Sequence, residues 1–151
     1  MSVKIVEHNV LGRLTYFNEY EWWETQVEFR PGCLVNFRLS TWTGSDPKVN
    51  VPDLFFRGVD YLEWARQAEP VCRQRVADKL LECYNDTWAS EDEPAPMSCA
   101  EFVEKITLTS VVLHTDGGAY WYYADGDLFA GHWIEVRAGV NREFSHVGLA
   151  G

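Results

Sequence analysis

The sequence predicts an α+β fold: antiparallel β-meanders at both ends of the chain, forming one sheet or two packed sheets, with a central helical pair packed against them. Three observations predict it. Apolar residues alternate with a period of two from Val10 to Thr41 and again from Lys105 to Ala138, whereas between Leu54 and Glu104 the apolar period lengthens to that of a helix. Turn-forming clusters at Arg30-Pro31-Gly32, Asp116-Gly117-Gly118 and Asp125-Gly126-Asp127 punctuate the alternating runs. A chain of 151 residues suits one domain, divided into 1–41, 54–104 and 105–151, and this length buries roughly 70% of the unfolded surface without staples.

The first expected strand, Val10 to Phe17, alternates around Gly12 and ends in the turn Asn18-Glu19-Tyr20-Glu21. Trp22 to Phe29 sets Trp23, Thr25, Val27 and Phe29 against Trp22, Glu24, Gln26 and Glu28, the pattern of a half-buried antiparallel strand. Cys33 to Thr41 resumes the alternation with Cys33, Val35, Phe37 and Leu39 on one face, completing a three-stranded meander. Residues 42–53 are a polar connection. From Leu54 onward, Phe55, Val59, Leu62 and Ala65 share a helical face, with Asp60 and Glu63 spaced like a capping pair for a late start. Pro70 is expected to open a second helix, because proline lacks the amide a helix interior needs. Cys72, Val76, Leu80, Cys83 and Tyr84 would line its buried stripe, the two cysteines as reduced core thiols.

Residues 90–96 form an acidic, proline-bearing loop, after which Ser98 and Glu101 have the spacing of a capping box for a short helix. Three strands follow, Lys105 to Thr115, Ala119 to Ala124 and His132 to Ala138, and Phe144 to Gly151 adds an edge strand. In the last turn, Leu128, Phe129 and His132 form an internal lock, with a ring nitrogen of His132 on a backbone carbonyl. Asp125, Asp127 and Trp133 face outward from it.

Composition narrows the function. The net charge is −10, and between residues 85 and 135 ten acids meet one base, Lys105. Such a surface repels phosphate backbones and attracts basic partners, which excludes direct nucleic-acid binding. The chain is 15% aromatic with seven tryptophans, rings that serve as contact anchors at interfaces. Four cysteines without a C-x-x-C pair, and no secretory leader pattern, point to a reduced cytoplasmic protein. No apolar run approaches the roughly 18 residues of a membrane span.

The segments Leu80-Leu81-Glu82-Cys83-Tyr84-Asn85-Asp86-Thr87-Trp88, Ser98 to Phe102, and Asp125 to His132, with Gly12 before the aromatic strand at Trp22 and Trp23 and a terminal Ala150-Gly151, together resemble a bacterial family of uncharacterised domains with a Leu-Phe-Trp-Gly-His signature. Ala130 stands where such relatives carry Trp or another large residue. The resemblance spans nearly the whole chain. It implies a single-domain bacterial protein, with relatives encoded near polymorphic toxins, and so an immunity-type role.

The chemistry within the chain names no reaction. His114 and His132 with Asp116, Asp125 and Asp127 have neither the helical i, i+4 nor the clustered spacing of a metal site. Cys99 and Cys33 have no local base, and no glycine-rich nucleotide motif occurs. No cofactor and no metal are expected. Surface recognition remains. The expected contacts are Asp125, Asp127, Trp133, Glu135, Asp116, Glu91, Asp92, Glu93 and Trp121, and the expected partner is a toxin with a basic surface, nucleases being one such class. Two alternatives stay open: a small hydrolase centred on His132 and the nearby Asp residues, and a non-catalytic interaction module or homodimer using the aromatic sheet face.

Overall fold

The computed structural model describes residues 3–42, 50–92 and 95–150. Among them, eight strands form one sheet in chain order: β1 Ile5–His8, β2 Gly12–Phe17, β3 Trp22–Arg30, β4 Cys33–Ser40, β5 Thr107–Leu113, β6 Ala119–Ala124, β7 Trp133–Ala138 and β8 Phe144–Ala150. Between β4 and β5 the chain forms a long helix, α1, Val51–Cys83, which runs into a π-helical turn over Tyr84–Trp88, and a short helix, α2, Cys99–Lys105. Neighbouring strands are antiparallel except at one seam. There β4 and β5 lie parallel, with Asn36 beside Ser110 and Leu39 beside Leu113.

This corrects the expected fold class. The two meanders are halves of a single mixed sheet, joined through a parallel pair that only a long crossover can connect. The helical pair in the middle is one 33-residue helix followed by a short one. The amino-terminal half has four strands rather than three, because Ile5–His8 pairs with β2. The turn between them is held by His8, whose Nδ1 accepts from the amides of Val10 and Leu11 at 3.1 Å.

Helix α1 starts at Val51 rather than Leu54 because Asn50 caps it, its side chain accepting from the Asp53 amide at 2.9 Å, with Pro52 in the first turn, where no donor is needed. Pro70 lies inside the helix and does not divide it. An interior proline costs about 3 kcal/mol. Burial on both sides of it offsets that cost, since each fully buried large apolar side chain contributes about 1.5–3 kcal/mol. The buried stripe runs through Leu54, Gly58, Tyr61, Ala65, Glu69, Cys72, Val76, Leu80 and Tyr84, and Pro70 faces solvent. The stripe passes beyond Cys83, which is exposed, so only Cys72 of the expected pair is a core thiol. Helix and sheet approach closely at Gly58, where a Cβ would lie 3.0 Å from the methyl groups of Leu39.

The core lies between α1 and one sheet face. Trp23, Val27, Val35, Phe37, Leu39, Leu108, Val111, Trp121, Tyr123, Ile134 and Val136 fill it from the strands. Inside it Arg73 and Glu69 form an ion pair one helical turn apart, with side chains 9% and 8% exposed. Arg73 also donates to the carbonyls of Val103 and Ile106, tying the end of α2 to α1. The Ser98 and Glu101 capping box opens α2 as expected. No helix among the described residues is long and apolar enough to cross a membrane.

Candidate binding surface

Strand register decides what the second sheet face carries. Side chains alternate along each strand, so Trp23, Phe37, Val111 and Trp121 pointing to α1 forces Trp22, Arg38, Ser110, Val112 and Tyr122 to the opposite face. On β7, Glu135 sits across from Tyr122 and Arg137 across from Tyr120, which places Trp133, Glu135 and Arg137 on that face too. Neither helix packs there.

Trp22, Arg38, Ser110, Val112, Tyr122 and Trp133 of this face line a groove of about 420 Å³ that crosses the parallel seam diagonally. Trp22 stands at one end and Trp133 at the other, with Asn36, Ser110, Val112 and Tyr122 between them. A β-bulge between Leu108 and Ser110 also turns Thr109 into the groove, its hydroxyl donating to the Tyr122 carbonyl at 3.0 Å. A second depression of about 400 Å³ continues from Asn36 across β3 and β2 toward Arg13.

The arginines on this face at 13, 38 and 137 are paired locally. Arg38 pairs with Glu24 across the strands and lies 4.8 Å from the Trp22 ring. Arg137 pairs with Glu135 at 3.3 Å and lies 5.1 Å from the Tyr120 ring, while Arg13 pairs with Glu7. Tyr122 donates to Glu135 at 3.1 Å, and burial followed by that carboxylate pushes the phenol up to about 12. The groove therefore offers aromatic and amide surface with little net charge. Trp22 Nε1, buried at its wall, has no hydrogen-bond partner.

The acids gather at the adjoining end. Asp78, Glu82, Asp86, Glu91, Asp92, Glu101 and Glu104 are exposed on the last turns of α1, the π-helical turn, the following loop and α2. Asn85 holds the returning loop by exchanging two hydrogen bonds with the backbone of Met97, at 2.9 and 3.1 Å. From the π-helical turn, Trp88 packs edge-on against Phe129 and His132, the residue before Trp133. The acidic end thus abuts the Trp133 end of the groove.

The expected contacts separate accordingly. Trp133, 47% exposed, and Glu135 belong to the groove face. Asp116 is exposed in the β5–β6 turn, its carboxylate accepting from the Gly118 amide, and Asp127 is exposed in the β6–β7 turn. Glu91 and Asp92 lie on the acidic end, and Glu93 falls outside the described residues.

Two expected contacts do not reach the surface. Trp121 is fully buried, its Nε1 donating to the Tyr61 hydroxyl at 2.9 Å. Asp125 is 5% exposed and accepts from the amides of Asp127, Phe129 and Gly131 at 3.0, 2.9 and 2.9 Å. Its turn needs a buried acceptor because the amides converge inward. His132 Nδ1 lies 2.6 Å from the Phe129 carbonyl, and Leu128 and Phe129 are buried, as the internal lock requires. The Asp125 carboxylate and His132 Nδ1 are thus both committed to backbone groups of the turn.

Burial pushes the Cys72 thiol up to about 12, away from nucleophilic character. His114, its proton affinity lowered by burial against an opposing effect of Asp116, packs edge-on against Tyr120 at 4.5 Å. Among the described residues no three His, Cys, Asp or Glu side chains converge as metal ligands.

Of the groove residues only Trp133 was expected; Trp22, Asn36, Arg38, Thr109, Ser110, Val112 and Tyr122 were not. Alternation already placed Trp22 with Glu24 and Gln26 opposite the core. Nothing local signalled that β4 would lie beside β5 and bring Asn36 to Ser110.

The architecture is that of a helix-backed mixed sheet with one open, aromatic-lined face. The chain belongs to a bacterial family described as uncharacterized protein conserved in bacteria (DUF2262), whose model matches residues 8–149. Neither a curated protein nor a solved structure matches it.

Proposed function

We propose that this protein is an immunity-type binder of the bacterial cytoplasm, which inhibits a toxin with a basic surface by covering its active site and catalyses no reaction itself. The observation that carries this reading is the open groove, with Trp133 47% exposed at one end and Trp22 and Tyr122 along it. Aromatic rings supply large contact area at low conformational cost and dominate binding energy where they fill complementary pockets. The local pairing of Arg13, Arg38 and Arg137 leaves the face nearly neutral, so its contribution is area and hydrogen bonds. Steering falls to the acidic end beside Trp133, which raises the encounter rate with a basic surface.

The experiment is to co-express the chain with the toxin encoded beside its gene and to measure protection of growth and inhibition in vitro. Inhibition that Trp133→Ala and Trp22→Ala each weaken at least tenfold supports the reading. Absence of inhibition, or inhibition indifferent to both substitutions, overturns it. High salt should slow association; a rate independent of salt removes the electrostatic part.

A further inference from the structure

The two sheet edges are unequal. β1 is four residues long and carries Glu7, paired with Arg13 on β2, so it is short and charged, as protected edges are. β8 is seven residues long, Phe-Ser-His-Val-Gly-Leu-Ala, with no acid, lysine, arginine or proline. Among the described residues, no strand pairs with its outer row of main-chain donors and acceptors. An uncharged edge of this length is a template for strand addition.

Beside this edge runs an unfilled groove of about 650 Å³ between α1 and the start of β8. Its floor is Trp64, Ala68 and Val71, with Phe144 stacked on Trp64 at 5.8 Å. Val71 is 57% and Leu149 36% exposed, both large for apolar side chains on adjoining elements. Arg75, Arg142 and Glu143 rim the groove, Arg142 already pairing with Asp60, and Glu63 lies toward the amino-terminal end of the same α1 flank.

We propose that β8 is the seam of a homodimer, in which β8 of one chain pairs antiparallel with β8 of a second copy and α1 of each lies along the other's groove. The topology makes the second copy the fitting occupant. α1 returns antiparallel to β4 and β5, and β8 lies three antiparallel steps beyond β5, so α1 and β8 run in the same direction. A two-fold axis normal to the sheet at β8 therefore sets both helices antiparallel on one face of a continuous sheet. It brings Val147 and Leu149 of each copy toward Val71 of the other. It also brings Arg75, in the later half of the α1 flank, toward Glu63 in the earlier half of the second helix. An antiparallel strand about a two-fold is its own hydrogen-bonding complement, and this interface is isologous. The acids of the far end of α1 are kept away from the axis, and the groove face on the opposite side of the sheet stays free.

The test is sedimentation of the full chain without any toxin, from about 1 to 100 µM, because self-association depends on concentration. The expected mass is twice 17.4 kDa at the upper end. Leu149→Lys and Val71→Glu, both at exposed positions, should each weaken association at least tenfold with the circular dichroism spectrum unchanged. Because each chain carries a charge of −10, added salt should strengthen the dimer, opposite to its effect on toxin binding. A monomer throughout this range overturns the proposal and leaves the edge open to a foreign strand. A dimer that survives both substitutions, or one that Trp133→Ala dissociates, also overturns it, the latter by moving the contact to the groove face.

Discussion

Asp125 Oδ2 lies 2.9 Å from the amide nitrogen of Phe129, four residues further on, and the same carboxylate gathers two more amides. Its role is therefore to hold the β6–β7 turn, and it can be separated from any contact role. Asp125→Ala leaves three donors without their acceptor, of which the Phe129 amide is fully buried and costs about 1–3 kcal/mol, the two part-buried ones less. The expected result is a loss of about 2–3 kcal/mol, seen as a lower urea midpoint with unchanged slope. Unchanged stability with lost toxin binding would instead make Asp125 a contact.

Arg73 is the only described link from α1 to both the carboxylate of Glu69 and the carbonyls of Val103 and Ile106. Removing one partner of a buried pair is expected to cost about 3–5 kcal/mol. Arg73→Met should reach that range, because two carbonyls lose their donor as well. Glu69→Gln should cost less. A double-mutant cycle in urea checks the coupling, which additivity of the two single effects would refute.

Trp133 stands on the surface with no role in the core, so Trp133→Ala is expected to change stability by no more than about 0.5 kcal/mol. Its loss should weaken toxin binding by at least about 1.4 kcal/mol, a factor of ten. Calorimetric titration and thermal melting on the same sample separate the two.

Alkaline pH should unfold the protein in a defined window. Burial pushes Cys72 from its ordinary 9.0 to about 12 and Tyr61 from 10.0 to about 12. The unfolded chain then releases these protons at lower pH than the folded one, so stability is full below pH 9 and falls as pH rises toward 12. The Cys72 part amounts to roughly 4 kcal/mol when fully developed. Urea midpoints from pH 8 to 11 should decline from about pH 9 in the parent and only from about pH 10 in Cys72→Ala, since tyrosine then sets the onset. A decline beginning at the same pH in both would contradict this.

Substitution at Gly126 tests how tightly the turn is built. Its φ is +59° and a Cβ would collide with the Lys105 carbonyl. Gly126→Ala must therefore shift backbone, and a loss of about 1–3 kcal/mol is expected by thermal melting, larger than for Ala at an unstrained glycine.

Most strands were legible because each has one buried face. Trp22 to Phe29 alternates along its length, and the structure gives Trp22–Arg30. β1 was not, since four residues with exposed Ile5 and Glu7 leave too little alternation to detect. Pro70 misled for a physical reason: local chemistry disfavours a helix there, and only packing against the sheet overrides it. The groove was half legible. Trp133 and Glu135 could be placed outward from β7 alone, whereas Asn36 and Ser110 meet through a pairing that no local pattern encodes.

That pairing also orders events in time. Each antiparallel half of the sheet can form from neighbouring segments, but the register of Asn36 with Ser110 waits until all of α1 has folded back. Closing so long a loop is slow, so the seam is expected to form late in folding. A partner laid across the groove would touch both sides of this joint. It would hold the two halves together, slowing unfolding as well as gaining contact area.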